Sequence, residues 1–233
     1  MTLGQVLMWV GISVGIGAII ALILWLIRWY AQGGQFEKTN VRMVGKIVII
    51  TGCNAGIGKE VAIDLARRGA KIYMACRDQK RAEEARQVII RATGNSNVVF
   101  IPCDLASLSS VRSFAHDKLA RILFSRALAK RLLTTGVTSN SLHPGIIRTV
   151  GAVRRYIPLM DVFIAPLFLF MKTARSGAQS TIALAVDPEL EQVSAKYFSD
   201  CRIVNESESA KDDEMAEWLW EMYENMTGLN ERV

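Results

Sequence analysis

The hydrophobic pattern of this chain changes abruptly after its first thirty residues. From Val6 to Ile27 twenty-two consecutive positions carry no charge, enough at about 1.5 Å per residue to cross a hydrocarbon layer of about 30 Å as a helix. Trp9, Trp25, Trp29 and Tyr30 stand near its two ends, while Arg28, Lys38, Arg42 and Lys46 all follow it. The positive-inside rule therefore sets the body on the cytosolic side of a membrane. A cleaved signal peptide fits less well, since there is no basic start, the apolar run is too long and no small-residue cleavage site follows. Residues 1–31 are read as a transmembrane anchor and residues 32–45, with the polar, glycine-containing Gln32 to Asn40, as a linker. Gly11 and Gly15 form a GxxxG that either pairs helices or simply faces lipid.

From Lys46 the rhythm is that of alternating strands and helices. Ile47 to Thr51 is a short β-branched apolar run, followed by a glycine-rich turn and a helical stretch from Gly56 to Arg68 stopped by Gly69. Lys71 to Cys76 repeats the strand signal, Asp78 to Thr93 the helix signal with Gly94 as its stop, and Val98 to Cys103 a third strand. Such alternation predicts an α/β fold with a parallel, Rossmann-type sheet over residues 46–233. Further on, Val137 to Leu142 reads as a strand, Gly177 to Val186 as a helix, and Asp212 to Met226 as a last helix with Gly228 after it.

Just over half of the residues are apolar and about a fifth are charged, which excludes a disordered chain and leaves roughly 200 residues for one folded body. Net charge is +6, but Lys and Arg are dispersed and no aromatic-basic recognition motif occurs, so the charge points to an anionic membrane surface and not to nucleic acid. Cys53, Cys76, Cys103 and Cys201 lie more than twenty residues apart without a CxxC, so neither a metal site nor a disulfide framework is indicated.

The candidate chemistry lies in the turn after the first strand. Thr51-Gly52-Cys53-Asn54-Ala55-Gly56-Ile57-Gly58 is a TGxxxGxG element between a strand and a helix, where glycines let the backbone approach a pyrophosphate and the helix start offers free N–H groups. Thr51, Gly52, Asn54, Gly56, Ile57 and Gly58 are the candidate phosphate-side residues. At the end of the second strand, where an NAD site would place an acid, stands Arg77, suited to a 2′-phosphate; this favours NADP over NAD. Asp104, after the third strand, either hydrogen-bonds adenine or caps the next helix.

These residues resemble the short-chain dehydrogenases, and several stretches resemble the membrane-bound retinol dehydrogenases among them: TGCNAGIGKE at 51–60, ARRGAKIYMACRD at 66–78, CDLASLSSVRSF at 103–114, KLARILFSRALAKRL at 118–132, LHPGIIRT at 142–149 and RSGAQSTIALAVDPELEQVSAKYFSDC at 175–201. The resemblance implies NADP(H)-linked interconversion of retinol and retinal, or of related lipid alcohols and aldehydes, on the cytosolic face of the endoplasmic reticulum. It implies that Gly52, Gly56 and Gly58 cradle phosphates, that Asp104 meets adenine, that Pro144, Gly145 and Thr149 form the PGxxxT element beside the nicotinamide, and that Lys118 is the lysine of YxxxK.

The same pattern shows what is lacking. The family's tyrosine acts as general acid/base, assisted by the lysine four residues on, while a serine polarises the substrate oxygen. Four residues before Lys118 stands Phe114. Tyr30, Tyr73, Tyr156, Tyr197 and Tyr223 are followed four residues later by Gly34, Arg77, Met160, Cys201 and Thr227, so no YxxxK exists. The NNAG turn and the serine-bearing strand are absent too, because the fourteen positions from Asp104 to Lys118 cannot hold two strands and two helices, which need more than about thirty. The expectation is an internal deletion between Phe114 and Lys118, loss of two central strands beside the first strand, and, with no breaker between Leu108 and Leu133, one fused helix of about 28 residues. Val162 to Met171 is an apolar run that either dips into a membrane surface or is a buried helix of a substrate lid. Trp218 and Trp220 are read as packing residues, and Asn205 and Asn225 begin sequons usable only with the opposite topology.

Overall fold

The structure, a computed structural model, describes residues 2–103, 118–147 and 165–227. Helix α1 (Leu3–Ala31) is capped at its start by Thr2, whose side chain accepts from Gln5 N while the Gln5 side chain accepts from Thr2 N. None of its residues is buried. It is the one helix among the described residues long and apolar enough to cross a membrane.

The body opens with β1 (Ile47–Thr51), α2 (Gly56–Arg67), β2 (Lys71–Cys76), α3 (Gln79–Thr93) and β3 (Val98–Pro102), within one or two residues of the sequence pattern. Asp78 caps α3 by accepting from Arg81 N, and Gly94, at φ 72°, ends it in the left-handed region. The three strands form a parallel sheet in the order β1-β2-β3, with Ile49 opposite Tyr73 and Tyr73 opposite Val99. One face is covered by α2, α3 and the later α5 (Ala174–Val186): Ile72, Met74 and Val98 are fully buried there with Leu65, Ile89 and Ile182.

The other face is open. Ile47 and Ile49 are 65% and 68% exposed, and Val99 and Ile101 on β3 are each 39% exposed. Parallel sheets are ordinarily buried on both faces; among the described residues no helical layer covers this face, and β1 is an edge strand whose apolar side chains are exposed.

A second set of elements carries its own small cores. Helix α4 (Lys118–Arg131) is followed by β4 (Ser141–His143), a 3-10 turn (Ala165–Leu169), α5, β5 (Tyr197–Ser199), β6 (Arg202–Ile203), a 3-10 turn (Glu208–Ala210) and α6 (Asp213–Thr227). β4 pairs parallel with β5, and β5 antiparallel with β6, in a sheet separate from the first. Leu123 and Ala127 of α4 pack on Ala216 and Leu219 of α6, and Ile122 packs with Tyr197 and Ala210.

The expected strand from Val137 begins only at Ser141. Its leading half is held mainly by side chains: Ser139 N donates to Ser194 Oγ and Asn140 Nδ2 to Val193 O, beside one backbone bond from Ala195 N to Ser139 O. The expected fused helix is seen only as α4, since residues 104–117 lie outside the described residues. Trp220 packs as expected, stacked on Phe124, whereas Trp218 is 62% exposed.

The segment between α1 and β1 is tied to the body. Arg68, buried at the end of α2, pairs with Asp64 at 2.5 Å, donates to Lys38 O and Val41 O, and lies over the Phe36 ring. Lys38 pairs with Asp187 at 2.8 Å.

Candidate functional site: the glycine loop and the elements around it

The loop joins β1 to α2 at the carboxyl end of the three-stranded sheet, where ligands bind in open α/β folds. Gly52 N donates to Ala75 O at 3.1 Å, closing the loop onto β2. Gly52 and Gly56 adopt φ of +65° and +58°, and a Cβ at either would meet nothing within 4 Å. Gly58 is different, for a Cβ there would lie 2.9 Å from Gly52 O and 3.0 Å from Cys53 Cα. The third glycine lets α2 start directly beneath the turn. Ala55, the residue before α2, has extended backbone and no side-chain cap, so the first-turn N–H groups of α2 are left for an anion.

Cys53 anchors the loop from below. It is fully buried, its Sγ donates to Ile50 O at 3.2 Å, and it lies 3.7 Å from Cys76 Sγ. Burial, reinforced by the neighbouring Cys76, pushes the Cys53 thiol up to about 12. Thr51, Gly52 and Gly56 are exposed, and Asn54, Ile57 and Gly58 half-buried. Thr51 stands in register with Ala75, so Arg77, exposed just past β2, shares the sheet end with the loop. These residues fit the adenosine and phosphate end of a dinucleotide: a turn with glycine at 52, 56 and 58, uncapped helix N–H groups and a guanidinium.

The other half of the site is held differently. Pro144 and Gly145 follow β4, with Gly145 at φ +84° against the Lys172 side chain. Lys172 N donates to Ile146 O at 2.8 Å, and Lys172 is buried in an ion pair with Asp200. Gly177, at the start of α5, lets the turn sit on that helix: a Cβ would fall 2.3 Å from Ile147 Cδ1 and 3.4 Å from Pro144 O. The sequence pattern missed this supporting role, its one signal being a glycine inside the helical RSGAQS. Because α5 packs on α2, it links the PG turn to the helix below the glycine loop. Asp104 and Thr149 lie outside the described residues.

Lys118 opens α4, whose packing lies chiefly on α6 and the 3-10 turn Glu208–Ala210. None of the described tyrosines stands at the glycine loop. Tyr73 is in mid-strand under Lys71 Nζ, Tyr197 is buried in the second sheet, and Tyr223 meets Phe124 edge-on, its phenol pushed up by burial. A tyrosine that handles a substrate proton needs the opposite shift. Two surface concavities, of about 780 Å³ along α3 and about 200 Å³ between α2 and α5, are lined by other residues than the loop.

Residues 46–117 match the short chain dehydrogenase family. The chain is similar to retinol dehydrogenase 12 of Homo sapiens, at 30% identity over 87% of this chain and 92% of that protein. That alignment runs over 295 positions, to which this chain supplies 87% of its 233 residues, so about 90 positions of the human protein face no residue here. Among solved structures, a protein from Mycobacterium Paratuberculosis is similar with a TM-score of 0.60 at 21% identity, over 83% of this chain and 98% of that one. L-sorbose reductase from Gluconobacter frateurii, complexed with NADPH and L-sorbose, gives a TM-score of 0.53 at 15% identity, over 67% of this chain and 95% of that one.

Proposed function

On the premise that this chain belongs to the short-chain dehydrogenase family, in its retinol dehydrogenase group, we propose that it is a membrane-anchored descendant of an NADP(H)-dependent retinol/retinal or lipid alcohol/aldehyde oxidoreductase that keeps the cofactor-binding end of the site and turns over little or not at all. A bound NADP(H) would exchange a hydride with the carbonyl carbon of the substrate. Gly52, Gly56 and Gly58, with Thr51, Asn54 and Ile57, would hold its phosphates, Arg77 its 2′-phosphate, Asp104 its adenine, and Pro144, Gly145 and Thr149 its nicotinamide side. Lys118 would be the surviving member of the catalytic set.

The observation that carries the reading is the absence of any tyrosine four residues before a lysine. Hydride exchange at a carbonyl requires a proton donor placed at the oxygen, and Phe114 has none to give. The open edge of β1 supports it, because the lost strands are those that would carry the serine and the NNAG turn. The anchor reading is supported by the length and apolar character of α1; the basic residues that follow it, Arg28, Lys38, Arg42 and Lys46, support a body on the cytosolic side of the membrane, and the family resemblance supports the endoplasmic reticulum.

The test is purified full-length chain in detergent with NADPH and all-trans-retinal. Dinucleotide binding without turnover is expected, with Arg77→Ala weakening NADPH more than NADH. Turnover comparable to an intact relative would refute inactivity. A second reading is a non-catalytic dinucleotide-binding or membrane-interaction protein, or an unstable truncated isoform; tight binding without turnover would support the non-catalytic binding protein, and no binding together with a low melting temperature the unstable isoform.

A further inference from the structure

The apolar run that follows the PG turn is clamped to the last turn of the anchor helix. Arg28 Nη1 donates to Phe168 O at 3.0 Å and to Met171 O at 2.5 Å. One turn on, Gln32 Oε1 accepts from Thr173 N and from Ser176 Oγ, at 3.2 and 2.8 Å. The 3-10 turn Ala165–Leu169 is thereby fixed beside the end of α1, where Trp29 and Tyr30 are 67% and 83% exposed.

Leu167 and Phe170, the outward residues of this turn, are 57% and 61% exposed, and Ile146, whose carbonyl receives Lys172 N, is 69% exposed. All three are exposed apolar residues, and the 3-10 turn that carries Leu167 contacts α1, a helix with none of its own residues buried. A buried lid would have covered them. Three carbonyls of the segment are meanwhile paired within the protein, since Phe170 N donates to Leu167 O and the Arg28 guanidinium to Phe168 O and Met171 O. Internal satisfaction of backbone groups is what entry into a lipid layer demands.

We propose that Leu167, Phe170 and Ile146 enter the interfacial layer of the bilayer that α1 spans, so that the PG turn opens onto the membrane and an apolar substrate or ligand reaches it from the lipid. Continuity with α1 through Arg28 and Gln32 selects lipid as the occupant. The inference rests on the reading of α1 as a membrane anchor.

The test uses the full chain in phosphatidylcholine/phosphatidylserine vesicles, with the environment-sensitive fluorophore NBD on Leu167→Cys or Phe170→Cys and on the comparison variant Val88→Cys of α3. The unsubstituted chain, labelled alike, sets the background of Cys103 and Cys201, and circular dichroism melts identical to it establish that the variants fold. Labels at 167 and 170 are expected to emit to the blue of the label at 88 and to be quenched most by bromines about 5–10 Å below the headgroups. Flotation with the vesicles but emission like that at 88 overturns this inference and leaves the anchor standing. Failure to float overturns both.

Discussion

Gly58 decides whether the glycine loop can exist, because the atoms that a Cβ would strike belong to the backbone of Gly52 and Cys53 and cannot swing aside. Gly58→Ala is expected to cost about 1–3 kcal/mol by overpacking, read as a lower melting temperature together with weaker NADPH binding. Gly52→Ala meets no atom and carries only the left-handed conformation, about 1–2 kcal/mol. If both variants bound and melted like the parent, the close approach assigned to this loop would be wrong. Cys53 beneath it holds its proton to about 12 against an ordinary 9.0. A value raised by folding favours the fold while the thiol stays protonated and is lost as pH rises, so the melting temperature should be flat through neutrality and fall between pH 9 and 12. Ellman's reagent on the native protein should modify neither Cys53 nor Cys76, and both should react once it is denatured. Fast labelling of either in the folded state would contradict their burial.

Between elements, the α4–α6 pair is the sharpest test of a divided core. Phe124 stacks on Trp220 with ring centroids 5.3 Å apart, and Arg131 pairs with Glu217 at 2.8 Å. Leu123→Ala, at 2% exposure, should cost about 2–5 kcal/mol, whereas the exposed ion pair contributes about 0–1 kcal/mol. Hydrogen exchange should locate the loss in α4, α6 and β5 and leave the amides of β2 protected; uniform loss would mean one continuous core. The same division explains what was legible in the sequence. α2 and α3 have strong helical periods and local stops in Gly69 and Gly94, and the glycine loop is a contiguous run, so both could be read from neighbours in the chain. β5 and β6, of three and two residues, are too short to show alternation. Ile47 to Thr51 reads as a strand buried on both faces because its residues suit such a sheet, and nothing local says that one face lacks its cover. The support of Gly177 for Pro144 depends on residues thirty positions apart and was invisible for that reason.

At the scale of the whole molecule, the described residues form two sheets and separate apolar clusters in place of the single core expected for a body of this length. Calorimetry should accordingly give a total unfolding enthalpy above the van't Hoff value, the mark of more than one transition; agreement of the two would argue for a single cooperative unit. The face of β1 and β3 bearing Ile47, Ile49, Val99 and Ile101 then has a cost outside the test tube. Quality-control chaperones and proteases seek surfaces of this kind, and the standing amount of a protein follows how fast they clear it. Replacing Ile49 by Thr, which keeps a β-branched side chain while making the surface wetter, should lengthen the half-life in a pulse-chase without raising the melting temperature. An unchanged half-life would mean that the cell does not recognise that face. If the half-life does lengthen, the abundance of this chain is set by a few square nanometres of uncovered isoleucine and valine more than by how often its message is read.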